Sequence, residues 1–264
     1  MTEDLLPADA LAAPPLPPHS GPPDPAAADH PATPAQNRVP VLPPPPQARR
    51  PWLKICGLRQ NDQAAAVAAL GVQALGVIGV ASSPRWLAPA QRPALFAAMA
   101  AANPACLGVL VVADPVDDDL DALAPDRGHQ VLQLHGQESP KRCAELRQRL
   151  GLPLWKALRI RSAADLERAQ AFEGVVDGLL LDAWVADQLG GTGQAIPIEL
   201  LAGFRPALPW WLAGGIAPER VAAILGQVHP DGLDASSAVE RAPGDKILSR
   251  VADLVAAVAA GRQD

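Results

Sequence analysis

The sequence has no basic stripe, no long apolar run and no closely spaced cysteines. Its 264 residues carry 22 Lys and Arg against 28 Asp and Glu, a net charge of −6. An acidic chain without clustered Lys or Arg matches neither the phosphates of nucleic acid nor an anionic membrane surface. No stretch is long and apolar enough to span a bilayer. The opening "MTEDLL" is acidic and no apolar run follows it before the prolines, so no secretory signal is expected. Cys56, Cys106 and Cys143 are odd in number and far apart. That excludes a disulfide framework or a zinc knuckle and points to a reducing, cytoplasmic setting.

Proline, by contrast, is abundant and unevenly placed. Of 30 prolines, 15 fall in residues 1–50. Proline removes a backbone donor and fixes φ, and "APPLPPHSGPPDPAAADHPATPAQ" has neither a strand nor a helix period. Such a tract buries too little apolar surface to offset its ordering entropy. Residues 1–50 are therefore expected to be a disordered Pro/Ala-rich leader, and residues 51–264 a single folded domain.

After residue 50 short apolar runs alternate with alanine-rich segments. The runs "WLKIC", "ALGVIGV", "CLGVLVV", "QVLQLH", "PLWKALR", "DGLLLDA", "PWWLAGG" and "DGLDASS" read as strands buried on both faces. Between them, "NDQAAAVAALG", "SPKRCAELRQRLG", "SAADLERAQAF" and "APERVAAILGQ" read as helices. Asn61 or Asp62 is the expected cap of the first, and Ser139 with Pro140 starts the second. Gly71 and Gly151 are expected stops. About eight such repeats predict an α/β fold, a single (βα)8 TIM barrel. The alternative, an open doubly wound sheet, calls for a glycine-rich fingerprint after the first strand, and "CGLRQND" is not one.

A parallel barrel carries its active site at the C-terminal ends of its strands. Those ends hold Cys56, Arg85, Gln133, His135, Asp182, Gly214, Gly215, Asp234, Ser236 and Ser237. Lys54 and Cys56 are two apart, so both face the interior. A buried lysine needs a partner, and Asp234 on the last strand is the candidate for a structural pair. "LAGGIAPER" and "DASSAVER" each put small residues before a helical start, where free N–H groups favour an anion. Paired at strands seven and eight, they suggest a phosphate site built from Gly214, Gly215, Ser236 and Ser237. "GGTGQ", residues 190–194, reads as a mobile loop suited to a lid.

In series, "KICGL", "ALGVIGVASSPR", "QLHGQE", "LLLDA" with "GGTG", "WLAGGIAPERV" and "GLDASSAVE" resemble the motifs of the phosphoribosylanthranilate isomerase family. The resemblance covers residues 52 to about 246. It implies an Amadori rearrangement of N-(5-phosphoribosyl)anthranilate to 1-(2-carboxyphenylamino)-1-deoxyribulose 5-phosphate, a step of tryptophan biosynthesis. It implies Cys56 as general base and Asp182 as general acid. Arg85, His135 and Asp234 would bind the substrate, Arg85 at its anthranilate end. The reaction needs no metal or other cofactor. The partner is a phosphorylated small molecule, and the chain is expected to be a monomer or homodimer. A carboxyl that gives a proton and a thiolate that takes one are each in their less usual state. Burial is thus expected to raise the Asp182 pKa and local polarity to lower that of Cys56. Cys106 and Cys143 are expected to be inert.

The sequence departs from the family's pattern at three places. Ile196, Pro197 and Ile198 stand where Phe-Asp-Trp is common, Ala238 replaces a glycine, and Lys246 is followed by Ile247 instead of an aspartate. One alternative is a non-catalytic barrel that keeps the phosphate site for regulation or scaffolding. It would not need the acid–base pair. Another is a bifunctional isomerase acting also on the related histidine intermediate. It is expected to use two aspartates, and Cys56 argues against it.

Overall fold

The computed structural model describes residues 50–183 and 195–261. The leader and the "GGTGQ" loop lie outside the described residues. Eight parallel strands close into a barrel: β1 (Trp52–Cys56), β2 (Ala74–Ile78), β3 (Leu107–Val112), β4 (Val131–Leu134), β5 (Leu154–Ile160), β6 (Gly178–Ala183), β7 (Trp210–Ala213) and β8 (Gly232–Ala235). β8 closes on β1 with Lys54 in register with Asp234. Each expected strand is present.

Alternation along the strands sorts side chains into two apolar layers. Leu107, Val109, Val111, Val131, Trp155, Ala157, Leu180 and Trp211 fill the interior. Leu75, Leu110, Leu132, Leu179 and Leu233 pack outward under the helices. Trp155 and Trp211 stack with centroids 4.8 Å apart and make a solid core inside the barrel. They fit because the neighbouring strand has no side chain: a Cβ on Gly232 would lie 2.2 Å from Trp211 Cε3.

Helices cover the outside: α1 (Asn61–Ala69), α2 (Arg92–Ala102), α3 (Pro140–Leu150), α4 (Ala163–Glu167), α5 (Val221–Leu225) and α6 (Leu248–Ala260). In α3, Ser139 Oγ accepts from the Arg142 N–H at 3.2 Å, Pro140 opens the helix, and Gly151 ends it at φ 62°. In α1 the expected side-chain cap is absent. Gln60 precedes the helix without capping it, and Asp62 instead accepts from the N–H of Gln63. The repeat is also less regular than expected. Between β3 and β4 the chain makes 3-10 turns over Asp117–Leu123 and Pro125–Arg127 in place of an α-helix. Four aspartates in that first turn repel one another and favour local side-chain bonds, and Pro125 stops continuation. "APERVAAILGQ" likewise begins as a 3-10 turn, Pro218–Arg220, before α5. After β8 a hairpin precedes α6: β9 (Glu240–Ala242) and β10 (Asp245–Lys246), antiparallel.

Candidate active site

Cys56 is the last residue of β1, and its thiol meets a cavity of about 540 Å³ at the C-terminal mouth of the barrel. Arg85, Gln133, His135, Asp182, Gly214, Gly215, Asp234, Ser236 and Ser237 line the same cavity. All the site residues expected from sequence are thus brought together. Cys56 and Asp182 stand on β1 and β6, separated by β7 and β8 on one side.

Two glycines make room for the thiol and for Arg85. A Cβ on Gly76, across from Cys56 on β2, would lie 2.5 Å from Sγ. Gly57 follows Cys56 at φ +86°, and a Cβ there would lie 2.5 Å from Arg85 Cδ. The "CG" of the first motif is a thiol followed by the space that lets an arginine pass over it.

Below the thiol, Lys54 Nζ sits 3.0 Å from both oxygens of Asp234. Burial acts against the Lys54 ammonium, but Asp234 and Cys56 outweigh it and hold its pKa above the ordinary value. Burial also pushes the Cys56 thiol up, and Lys54 and Lys246 offset this only in part. The expected lowering of the Cys56 pKa is therefore corrected: before any ligand is bound, loss of solvation outweighs the neighbouring charge. Burial pushes Cys106 up to about 12 and Cys143 up to about 11. What separates Cys56 from them is position at the cavity and the company of two lysines.

On the far wall, Asp182 Oδ1 accepts from the Ala183 N–H at 2.9 Å, and Oδ2 lies 3.5 Å from His135 Nε2. Gln133 Nε2 meets His135 Nδ1 at 3.2 Å. If the amide donates there, the imidazole proton sits on Nε2 and faces the carboxylate.

The sequence reading did not find the group behind Arg85. Arg85 Nη2 and Nε reach Glu240 at 2.7 and 3.0 Å, and Lys246 Nζ reaches Glu240 at 2.6 Å. Lys246 Nζ also donates to the Cys56 carbonyl. All three side chains are nearly inaccessible. Arg85 Nη1 has no acceptor among the described residues, so that edge of the guanidinium is left for a ligand. "ERAPGDK" did carry a signal: Pro-Gly between opposite charges marks a hairpin, and Glu240 pairs with Lys246 across it.

Gly214 and Gly215 both have positive φ, 89° and 62°. They turn the backbone where a side chain would be strained. Ser236 spends its hydroxyl on the Cys56 carbonyl at 3.0 Å, so its side chain does not donate into the cavity. The N–H groups of Gly215, Ser237 and Ala238 have no acceptor among the described residues. Asp114 is the one described non-glycine residue with positive φ, so Ala238 stands in ordinary backbone and costs nothing there. Ile196 is buried in the outer core. Among the described residues, no group of three or more His, Cys, Asp or Glu is disposed to hold a metal.

Residues 53–257 match the family described as N-(5'phosphoribosyl)anthranilate (PRA) isomerase. The chain is 46% identical over 208 residues to the N-(5'-phosphoribosyl)anthranilate isomerase of Synechococcus elongatus, covering 78% of this chain and 95% of that protein. The Synechocystis protein of the same name is 45% identical over 205 residues, covering 76% of this chain and 93% of that one. The solved phosphoribosyl anthranilate isomerase of Thermus thermophilus superposes with a TM-score of 0.67 at 33% identity, covering 79% of this chain and 98% of the other.

Proposed function

The chain belongs to the N-(5'-phosphoribosyl)anthranilate isomerase family, and we propose that Cys56 and Asp182 are the base and acid of its reaction. The protein is an isomerase of tryptophan biosynthesis: it converts N-(5-phosphoribosyl)anthranilate to 1-(2-carboxyphenylamino)-1-deoxyribulose 5-phosphate. The observation that carries the assignment is one cavity walled by a thiol on β1 and a carboxyl on β6.

The steps follow from those two groups. Asp182 gives its proton to the furanose oxygen, the C1′–O bond breaks, and the anthranilate nitrogen supplies the electron pair that makes an iminium. The Cys56 thiolate then takes the C2′ proton, and those electrons neutralise the iminium to an enolamine, which tautomerises to the ketone. His135, beside Asp182, orients the carboxyl. Arg85 takes the substrate carboxylate on its free edge, with Glu240 fixing the guanidinium plane. Asp234 holds Lys54 beside the thiol and reaches the sugar. The phosphate sits on the N–H groups after β7 and β8, around Gly214, Gly215, Ser236 and Ser237. Three free thiols and the acidic surface support a cytoplasmic protein acting as a monomer or homodimer.

The test is turnover by purified protein. Substrate made in place from anthranilate and phosphoribosyl pyrophosphate should lose its fluorescence at a rate proportional to protein. Tight binding of a product analogue without that loss would leave a binding barrel.

A further inference from the structure

Arg85, Glu240 and Lys246 form a buried cluster in which two cations share one carboxylate. One positive charge is left over. Arg85 reaches both Glu240 oxygens through Nε and Nη2 and Lys246 Nζ reaches Oε1 at 2.6 Å, so the two cations share the surplus, and only Lys246 also touches the Cys56 backbone. An unbalanced charge in the interior is costly and draws the nearest group that can become an anion. Lys246 Nζ donates to the carbonyl of Cys56 itself and, at 3.4 Å, to that of Ser236. Lys246 is 2% exposed and, unlike Arg85, does not line the cavity.

We infer that Lys246 is a positioning residue for the Cys56 thiolate, balancing its charge from behind the strand end. The inference rests on the reading of Cys56 as the base. Lys54, on the same strand, acts on the thiol more strongly than Lys246, but Asp234 of β8, bonded to it, works against the thiolate. Asp182 and His135 face it across the cavity from the ends of β6 and β4, and Glu240 stands behind Lys246 against Arg85. Lys246 and Cys56 act on each other reciprocally. The ammonium favours the thiolate and the thiolate favours the ammonium, in each case against burial. Burial still wins in the free protein, leaving the Cys56 pKa above and the Lys246 pKa below their ordinary values, so each group depends on the other for its charge.

The substitution Lys246→Met tests this. It leaves Glu240 paired with Arg85, so no bare carboxylate remains buried and the fold should stand. If it does not, Lys246→Gln removes the charge and keeps an amide donor for the Cys56 carbonyl and Glu240. Alkylation of Cys56 by iodoacetamide, followed across pH on the full chain by mass spectrometry of the peptide carrying it, reads the thiolate directly. The expected result is alkylation at neutral pH slower by about tenfold or more, with the profile moved to higher pH. Lys246→Arg, which keeps the charge, should restore it. Turnover should fall through kcat with KM little changed. An unchanged alkylation profile in a folded variant overturns the inference. So does weaker competition by inorganic phosphate with the profile unmoved, since the charge would then serve the phosphate. The alkylation readout does not depend on Cys56 being the base. If Cys56→Ser keeps its turnover, the catalytic reading fails while the thiolate balance is still measured.

Discussion

At the scale of the residue, the site is made by what is small as much as by what is reactive. Cys56 reaches the cavity because Gly76 opposite it has no side chain, and Arg85 crosses Gly57 for the same reason. Gly76→Ala should therefore push the thiol out of place. Overpacking of this kind costs about 1–3 kcal/mol, and a shift of about 1 Å at a reacting group can cost about 10²-fold in rate. The check is thermal midpoint and kcat together, and a variant with normal kcat would mean that the thiol position is not critical. Cys56, His135, Asp182 and Asp234 were legible in the sequence because each ends or just follows an apolar run, and a parallel barrel gathers strand ends at one mouth. Glu240 and Lys246 were not. They lie beyond the last barrel strand, in the short β9–β10 hairpin, and their burial depends on tertiary contacts that no period reports.

At the scale of the element, the turns after β7 and β8 do different jobs. The first is pure backbone geometry, with Gly214 and Gly215 both at positive φ. The second, with the hairpin that follows it, ties itself to Cys56, since Ser236 Oγ and Lys246 Nζ both donate to the Cys56 carbonyl. The proposed phosphate site and the contacts to the proposed base thus share one stretch of chain. Gly215→Asp puts a strained residue and a like charge into the first turn. Substrate KM should rise by about tenfold or more, and inorganic phosphate should lose its power to compete. Equal competition against the variant and the parent would put the phosphate elsewhere. The elements that strayed from expectation have local causes. The aspartate-rich run after β3 has poor helix propensity and folds as 3-10 turns. The first helix lost its expected cap because its start fell on Asn61 itself, which made Gln60 the capping position.

At the scale of the whole molecule, the strand pattern and the closed barrel were legible because most strands carry apolar residues on both faces, inward to the tryptophans and outward to the helices. One consequence of so dry an interior concerns acid. Burial lowers the pKa of His129 to about 4, with only the Leu123 carbonyl as partner to its Nε2. Between the ordinary value of 6.5 and about 4 the unfolded chain binds a proton that the folded chain refuses. Stability from this group is complete above pH 6.5, falls as pH drops through that window, and levels off below it, a loss of about 3 kcal/mol. His129→Phe, beside Phe96, should flatten that part of the dependence. Urea unfolding of both proteins at pH 7 and pH 4.5 checks it, and equal pH dependence of the two would show that His129 takes up its proton while folded.

Closure of the barrel is also what sets a thiol from β1 and a carboxyl from β6 around one substrate, and that arrangement is the central claim. The measurement that tests it most directly is kcat, together with affinity for a stable product analogue, for Cys56→Ser and Asp182→Asn. Serine keeps the size of the thiol but hardly ionises, and asparagine cannot give the proton that ring opening needs. Each variant should lose about 10²–10⁴-fold in kcat and keep both its analogue affinity and its thermal midpoint. Near-normal kcat in Cys56→Ser, with at most a small loss of stability, would make the cysteine a packing residue and contradict the account.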